Sequence, residues 1–256
     1  MCPKCQGARI GRFGIGTERV EEEAQKAFPE AHVLRMDKDT VARKGAHAAI
    51  LNAFRRGEAD ILVGTQMIAK GLDFPNVTLV GIISADTSLN MPDFRAAERT
   101  FQLVSQVSGR SGRGVRAGEV VVQTFDPNSY AVACAVNHDY ETFYRTEIVA
   151  RGELGYPPFG SMVTFLAQDH SGREAMLRLA DLRRKLLAGA CEARADVSIM
   201  GPVPSLIPKL RGEYRWRLIL KSADRQALLA LVREAVVQTR GGRRGVSVDV
   251  GPVSVV

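Results

Sequence analysis

Four short β-branched runs with helix-like stretches between them constrain this chain more than any other feature. They are HVLRM at 32–36, DILVG at 60–64, TLVGIIS at 78–84 and EVVVQTF at 119–125. Their apolar residues run on with little polar alternation, which requires cover on both sheet faces, and strands separated by helices pair in parallel. The expectation is a parallel α/β sheet, whose ligands lie beyond the carboxyl ends of the strands. TERVEEEAQKAF at 17–28 supplies one covering helix. Acids crowd its first turn, Val20, Ala24 and Phe28 recur at helical spacing, and Thr17 reads as its N-cap.

The texture changes after about residue 155. GYPPFG is a turn cluster, followed by strand-like SMVTFLAQ, helix-like REAMLRLADLRRKLLAG, strand-like VSIMG and YRWRLILK, helix-like RQALLALVREAVVQT and strand-like VSVDV. This βαββαβ order is the split pattern of ferredoxin-like α+β modules. The boundary therefore falls near Tyr156, giving an α/β lobe at 17–155 and a smaller α+β domain at 156–256.

With 256 residues, 45% of them hydrophobic and 25% charged, the chain can bury a core and is not globally disordered. No apolar run approaches the roughly 18 residues that a membrane span needs, and MCPKCQGARIGR lacks the apolar segment of a signal peptide. A cytoplasmic protein with no membrane partner is expected. Lysine plus arginine outnumber acids 35 to 28, and the net +7 suits a nucleic-acid partner. Cys134 and Cys191 stand alone in helical patterns and read as core thiols. His32, His47, His138 and His170 show no metal-ligand spacing.

The densest chemistry lies at 106–113, QVSGRSGR, where Gln106, Gly109, Arg110, Gly112 and Arg113 follow the helix-like DFRAAERTFQLVS. A guanidinium offers a planar fork of donors, stays charged, and can stabilise charge on a transferring phosphoryl group. Upstream, GTQMIAKGLDFP places Gly64, Thr65, Gln66, Lys70, Gly71 and Asp73 directly after a strand. Backbone N–H groups in such a turn can meet an anion. A solvated helix end, or an ordinary turn after a buried strand, would use the same residue types.

Toward the end of the chain, Trp216 sits between Arg215 and Arg217. On a strand the indole points away from both arginines, so they face outward toward phosphate, while the indole itself either joins the core or stacks on a base. RRKLL at 183–187 and RGGRR at 240–244 are basic clusters, and Arg243 and Arg244 in the second make it the better candidate for a phosphate track.

Together, GTQMIAKGLDFP and QVSGRSGR resemble motifs V and VI of superfamily-2 helicases. GTERVEE at 16–22, RMDKDT at 35–40, PDFRAAER at 92–99, GYPPF at 155–159, GPVP at 201–204, Lys209 and YRW at 214–216 narrow the resemblance to the primosomal protein N′ (PriA) family of replication-restart DNA helicases. The resemblance covers essentially the whole chain. Its departures are Leu72 where the family has a histidine, Ser108 and Ser111 in place of alanines, and Gly251 in place of an aspartate.

The resemblance implies a RecA-like second motor lobe followed by a C-terminal DNA-binding domain, in a 3′ to 5′ helicase that couples ATP hydrolysis to unwinding at stalled forks. Arg113 would act as the finger on the γ-phosphate, supported by Arg110 and Gln106. Gly64, Thr65, Gln66, Lys70, Gly71 and Asp73 would couple nucleotide to DNA, and Lys209, Arg215, Trp216, Arg217, Arg243 and Arg244 would contact it. The implied partners are forked or single-stranded DNA, other primosome proteins and the single-stranded-DNA-binding protein.

The sequence contains no G-K and no D-E dipeptide, so it offers neither a phosphate-cradling G-x-x-x-x-G-K-[ST] loop nor the acidic strand end that holds Mg²⁺. ATP with Mg²⁺ would therefore be held mainly by a first lobe, and the chain by itself is expected to bind ATP weakly and hydrolyse essentially none. Cys2 and Cys5 form half of a zinc site, since structural zinc takes four ligands; a redox C-x-x-C is the competing reading, without a preceding βαβ unit. In the resembled family paired cysteines between the motor lobes bind two zinc ions. Residues 1–16 then read as the remnant of a zinc-binding insertion with a lead-in strand, and Met1 as a break inside a larger gene product or a truncated gene model. The rival expectation is a non-enzymatic DNA-binding and primosome assembly module. An RNA helicase lobe is a weaker third, disfavoured by the C-terminal half.

Overall fold

The computed structural model describes residues 16–37, 39–41, 45–69, 76–108, 118–238 and 245–255. The chain divides into two compact units, Met1–Asn90 with Glu98–Tyr140, and Met91–Ala97 with Glu141–Val256.

In the first unit helix α1 (Thr17–Ala27) precedes β1 (Val33–Met36), and α2 (Ala46–Arg55) precedes β2 (Ile61–Gly64). The short α3 (Gln66–Ala69) leads on to β3 (Leu79–Ile82), α4 (Asp86–Leu89), α5 (Ala96–Ser108), β4 (Glu119–Val122) and α6 (Tyr130–Val136). All four strands form where the β-branched runs lie. They pair in parallel as β1 with β2, from Val33 opposite Ile61 to Met36 opposite Gly64, and β3 with β4, from Leu79 opposite Glu119 to Ile82 opposite Val122. Helix α5 turns Phe101, Val104 and Val107 inward, and α6 buries Ala131, Val132 and Ala135.

The expected cap of α1 is corrected. Gly16 occupies the N-cap, with extended backbone and no side-chain cap hydrogen bond. Thr17 lies inside the helix, and its hydroxyl instead donates to Asp37 Oδ2 at 2.7 Å. Lying inside the helix rather than at its cap, Thr17 is free to turn its hydroxyl toward another element, where a charged acceptor makes a strong hydrogen bond.

The second unit contains α7 (Tyr140–Glu153), then β5 (Ser161–Asp169), α8 (Gly172–Glu192), β6 (Ser198–Leu210), β7 (Glu213–Ser222), α9 (Arg225–Gln238) and β8 (Val246–Val250). The βαββαβ order is the one the sequence predicts. The strands form one antiparallel sheet in the order β6-β7-β5-β8. Ser171 starts α8 as an N-cap, accepting from the Glu174 N–H at 3.3 Å. Ala175, Leu179, Leu182 and Leu186 recur along one stripe of α8 and meet Val163, Phe165 and Ala167 of β5, Leu218 and Leu220 of β7, and Leu228, Leu231, Val232 and Ala235 of α9. Burying each large aliphatic side chain stabilises the unit by about 1.5–3 kcal/mol relative to exposure. Pro202, Pro204 and Pro208 all lie on β6, an edge of the sheet, where a missing N–H does not break a ladder. Cys134 is buried, as a core thiol should be, but Cys191 is exposed at the end of α8.

Candidate functional site

Within the first unit, polar residues gather just past the carboxyl ends of the parallel strands, the edge where such sheets bind ligands. Gly64 ends β2 against β1. A Cβ there would fall 2.2 Å from Ile68 Cδ1 and 2.5 Å from the Met36 carbonyl oxygen, so only glycine fits. The exposed Thr65 and Gln66 follow, and the Thr65 carbonyl accepts from the Ile68 N–H at 3.0 Å as α3 begins. Close packing of Gly64 thus presents a polar turn to solvent.

Asp37 follows β1 and organises its loop. Its Oδ1 accepts from the N–H groups of Asp39 and Thr40, each at 3.0 Å, and its Oδ2 accepts from the Thr17 hydroxyl. The Arg35 guanidinium lies 3.4 Å away and also meets Glu21 at 3.1 Å and Glu18 at 3.4 Å. The Thr17 hydroxyl first, then the Thr40 N–H, and Arg35 more weakly, lower the Asp37 carboxyl from its usual 3.8 to about 2 against the opposing effect of burial. GTERVEE and RMDKDT, two of the stretches on which the family resemblance rests, therefore touch.

Asp86 plays the matching part after β3. It is 2% exposed, and its carboxylate accepts from the Thr124 hydroxyl at 3.0 Å and from the Phe125 N–H at 3.1 Å, tying the end of β3 to the end of β4. Neither Asp37 nor Asp86 stands out as a functional residue in sequence. The signal available was an aspartate within a few residues of a strand's carboxyl end, with threonines nearby.

Gln106 occupies the last turn of α5, exposed on the side away from Val104 and Val107. Arg110 and Arg113 follow it in the chain but lie outside the described residues, as do Lys70, Gly71, Asp73, Arg243, Arg244, Cys2 and Cys5. Among the described residues no group of three or more histidine, cysteine, aspartate or glutamate side chains could hold a metal ion. No described helix is long and apolar enough to cross a membrane.

In the second unit β7 splits its residues between two faces. Trp216, Leu218 and Leu220 face α8 and α9, with the indole partly buried against the apolar core. Arg215, Arg217 and Lys221 take the opposite face. Arg217 Nε donates to the buried Ser205 hydroxyl at 3.2 Å. Burial, and secondarily the neighbouring Arg215 charge, lower the pKa of Arg217, while Asp93 raises it. Lys209 is exposed near the β6–β7 turn with its ammonium 4.7 Å from the centre of the Tyr214 ring.

The segment Met91–Ala97 belongs to this second unit although its chain neighbours on both sides belong to the first. Asp93, buried, accepts from the Ser254 hydroxyl at 2.5 Å and the Val255 N–H at 3.2 Å. Phe94 stacks on Tyr156, Arg151 sits 5.6 Å from the centre of the Phe94 ring, and Lys221 sits 4.7 Å from that of Tyr156 while donating to the Leu154 carbonyl. Arg151 is held by Glu147 at 2.7 Å.

The two halves of the chain match two family models. Residues 7–118 match the helicase conserved C-terminal domain, and residues 152–253 match the primosomal protein N C-terminal domain. The class is thus a helicase lobe of parallel-stranded α/β type joined to an antiparallel α+β domain. Over 91% of its length the chain is 47% identical to the replication restart protein PriA of Bacillus subtilis, and over 100% it is 38% identical to that of Synechocystis sp.. It belongs to the PriA family. It spans 29% and 30% of the lengths of those two relatives. Among solved structures, the C-terminal domain of the DEAD-box protein Dbp5 is 20% identical at a TM-score of 0.34, covering 53% of this chain and 76% of that one.

Proposed function

We propose that this chain forms the second motor lobe and C-terminal DNA-binding domain of an ATP-dependent 3′ to 5′ helicase that restarts replication at stalled forks. The observation that carries the reading is the joining, in one chain, of a helicase lobe with a primosomal C-terminal domain. In support, the Gly64–Gln66 turn lies at the ligand-binding edge of its strand pair, and Gln106 is exposed on the helix that leads to Arg110 and Arg113.

Those two arginines have the chemistry to meet a triphosphate, but a nucleotide-cradling loop must come from another lobe. When bound, ATP with Mg²⁺ supplies the free energy of phosphoryl transfer. Arg113 would stabilise charge at the γ-phosphate with Arg110 and Gln106 in support, and Thr65, Gly71 and Asp73 would pass the nucleotide state to the DNA strand. Gly64, Gln66 and Lys70 share in that coupling. Lys209, Arg215 and Arg217, with Arg243 and Arg244, contact the DNA backbone, while Trp216 holds β7 against the helices. Cys2 and Cys5 supply two of the four ligands a structural zinc needs. By itself the chain binds DNA without hydrolysing ATP, and the further partners are other primosome proteins and the single-stranded-DNA-binding protein.

The test uses the complete protein, with both motor lobes. Arg113→Ala should lower DNA-stimulated ATPase by about a thousandfold or more while leaving DNA affinity nearly intact. Undiminished turnover would remove Arg113 from the motor.

A further inference from the structure

We propose that Arg215 and Arg217, framed by a bulge of β6, form a socket for a single phosphodiester of a nucleic-acid strand lying across the sheet face opposite α8 and α9. The proposal rests on the nucleic-acid reading above and gives it a location and a mode.

Alternate residues of a strand share a face, so Arg215 and Arg217 stand about 7 Å apart along β7 on the side away from the core. Strand β6 frames them. Pro204 pairs with Trp216 and Lys209 with Tyr214, so Ser205, Leu206, Ile207 and Pro208 are accommodated against Arg215 alone. This bulge turns Ser205 inward onto Arg217 Nε and leaves Leu206 and Ile207 47% and 51% exposed at its rim.

The charges on this face are unbalanced. Arg35, Arg56, Arg145, Arg151, Arg178 and Arg184 each pair with a carboxylate, but Arg215 and Arg217 pair with none among the described residues. Arg215 Nε is buried without a hydrogen-bond partner. Asp93 offsets part of the Arg217 charge while accepting from Ser254 and Val255, and Asp249, which shares the face through its pairing with Thr164, lies two strands from β7, about 10 Å away, so Arg215 has no carboxylate in ion-pair contact among the described residues. Two partly desolvated guanidinium groups held side by side repel each other, and the two non-bridging oxygens of one phosphodiester, which share its single negative charge, accept from both forks at once. Gln168, paired with Arg215, adds an amide to the same face.

Binding of a labelled oligothymidylate to the chain, followed by fluorescence anisotropy across a salt series, tests this. Arg215→Ala and Arg217→Ala should each weaken binding about 10–100-fold, and the double variant little further, because both forks serve one phosphate. The salt slope should fall by about 0.7, the value for one phosphate of a single strand. Thermal stability without DNA should stay level or rise in Arg215→Ala, whose Nε has no partner, and fall in Arg217→Ala, which leaves the buried Ser205 hydroxyl unpaired. Additive losses would overturn the shared phosphate. Unchanged affinity in both variants, a fall in the stability of Arg215→Ala in its place, or Arg217-dependent binding of an acidic peptide that leaves DNA affinity untouched would overturn the socket. An unaltered chain that binds no DNA would overturn the nucleic-acid reading itself, which separates the two failures.

Discussion

The ring of Phe94 stacks on that of Tyr156 with 5.6 Å between centroids and 22° between planes. One ring comes from PDFRAAER and the other from GYPPF, stretches far apart in sequence that meet inside the second unit. Cations close the stack on both sides, Arg151 against Phe94 and Lys221 against Tyr156. Phe94→Ala should therefore destabilise the second unit by about 1–3 kcal/mol, below the range for a fully buried ring because Phe94 is half-buried. Thermal unfolding of the chain measures this, and Phe94→Tyr should recover most of the loss.

Asp86 carries the connection between the ends of β3 and β4. Replacing it with alanine leaves the Thr124 hydroxyl and the Phe125 N–H without their acceptor. A loss of about 1–3 kcal/mol in unfolding free energy is expected, measured by denaturant titration. Asparagine should lose less, since it keeps one acceptor oxygen.

Acid sensitivity of the first unit should trace to Asp37. Its carboxyl is lowered to about 2 in the folded chain, so it binds protons less readily there than in the unfolded chain. The stabilisation is fully present above about pH 4 and is lost as pH falls through about 2. Thr17→Val removes the largest cause of the shift. In that variant the Asp37 carboxyl should titrate closer to its usual 3.8, read directly by carboxyl NMR titration. Asp37→Asn should flatten the stability difference between pH 5 and pH 2.5.

Gly64→Ala should disturb the turn that presents Thr65 and Gln66. The added methyl would meet the Met36 carbonyl oxygen at 2.5 Å, a backbone atom that cannot swing aside as a side chain could. Overpacking of this kind costs about 1–3 kcal/mol. Under the proposed function, Gly64→Ala in the complete protein should also impair DNA-stimulated ATPase more than basal DNA binding. A variant with wild-type stability and coupling would show that β1 and β2 part more easily than their packing implies.

Legibility in sequence differed by kind of feature. The four β-branched runs of the lobe, the βαββαβ order of the second domain and the opposition of Trp216 to its flanking arginines were readable, because each follows from a period of two or 3.6 residues. The cap of α1 was not readable. Thr17 has the composition of an N-cap, and its displacement onto Asp37 depends on β1 lying alongside the helix. Nor did the helical pattern around Cys191 distinguish an inward from an outward thiol at the end of α8.

By itself, then, the sequence determined which segments are strands and helices, which residues face a core, and which motifs have chemistry suited to phosphate. Those properties are local, written in spacing and residue type along a single element. Only the tertiary structure decided that Met91–Ala97 lies with the second unit, that Asp37 and Asp86 fasten strand ends, and that Arg215 and Arg217 share a face with no carboxylate in ion-pair contact among the described residues. Such facts depend on which distant side chains share a face and what remains to neutralise them, and periodicity along the chain carries no information about that.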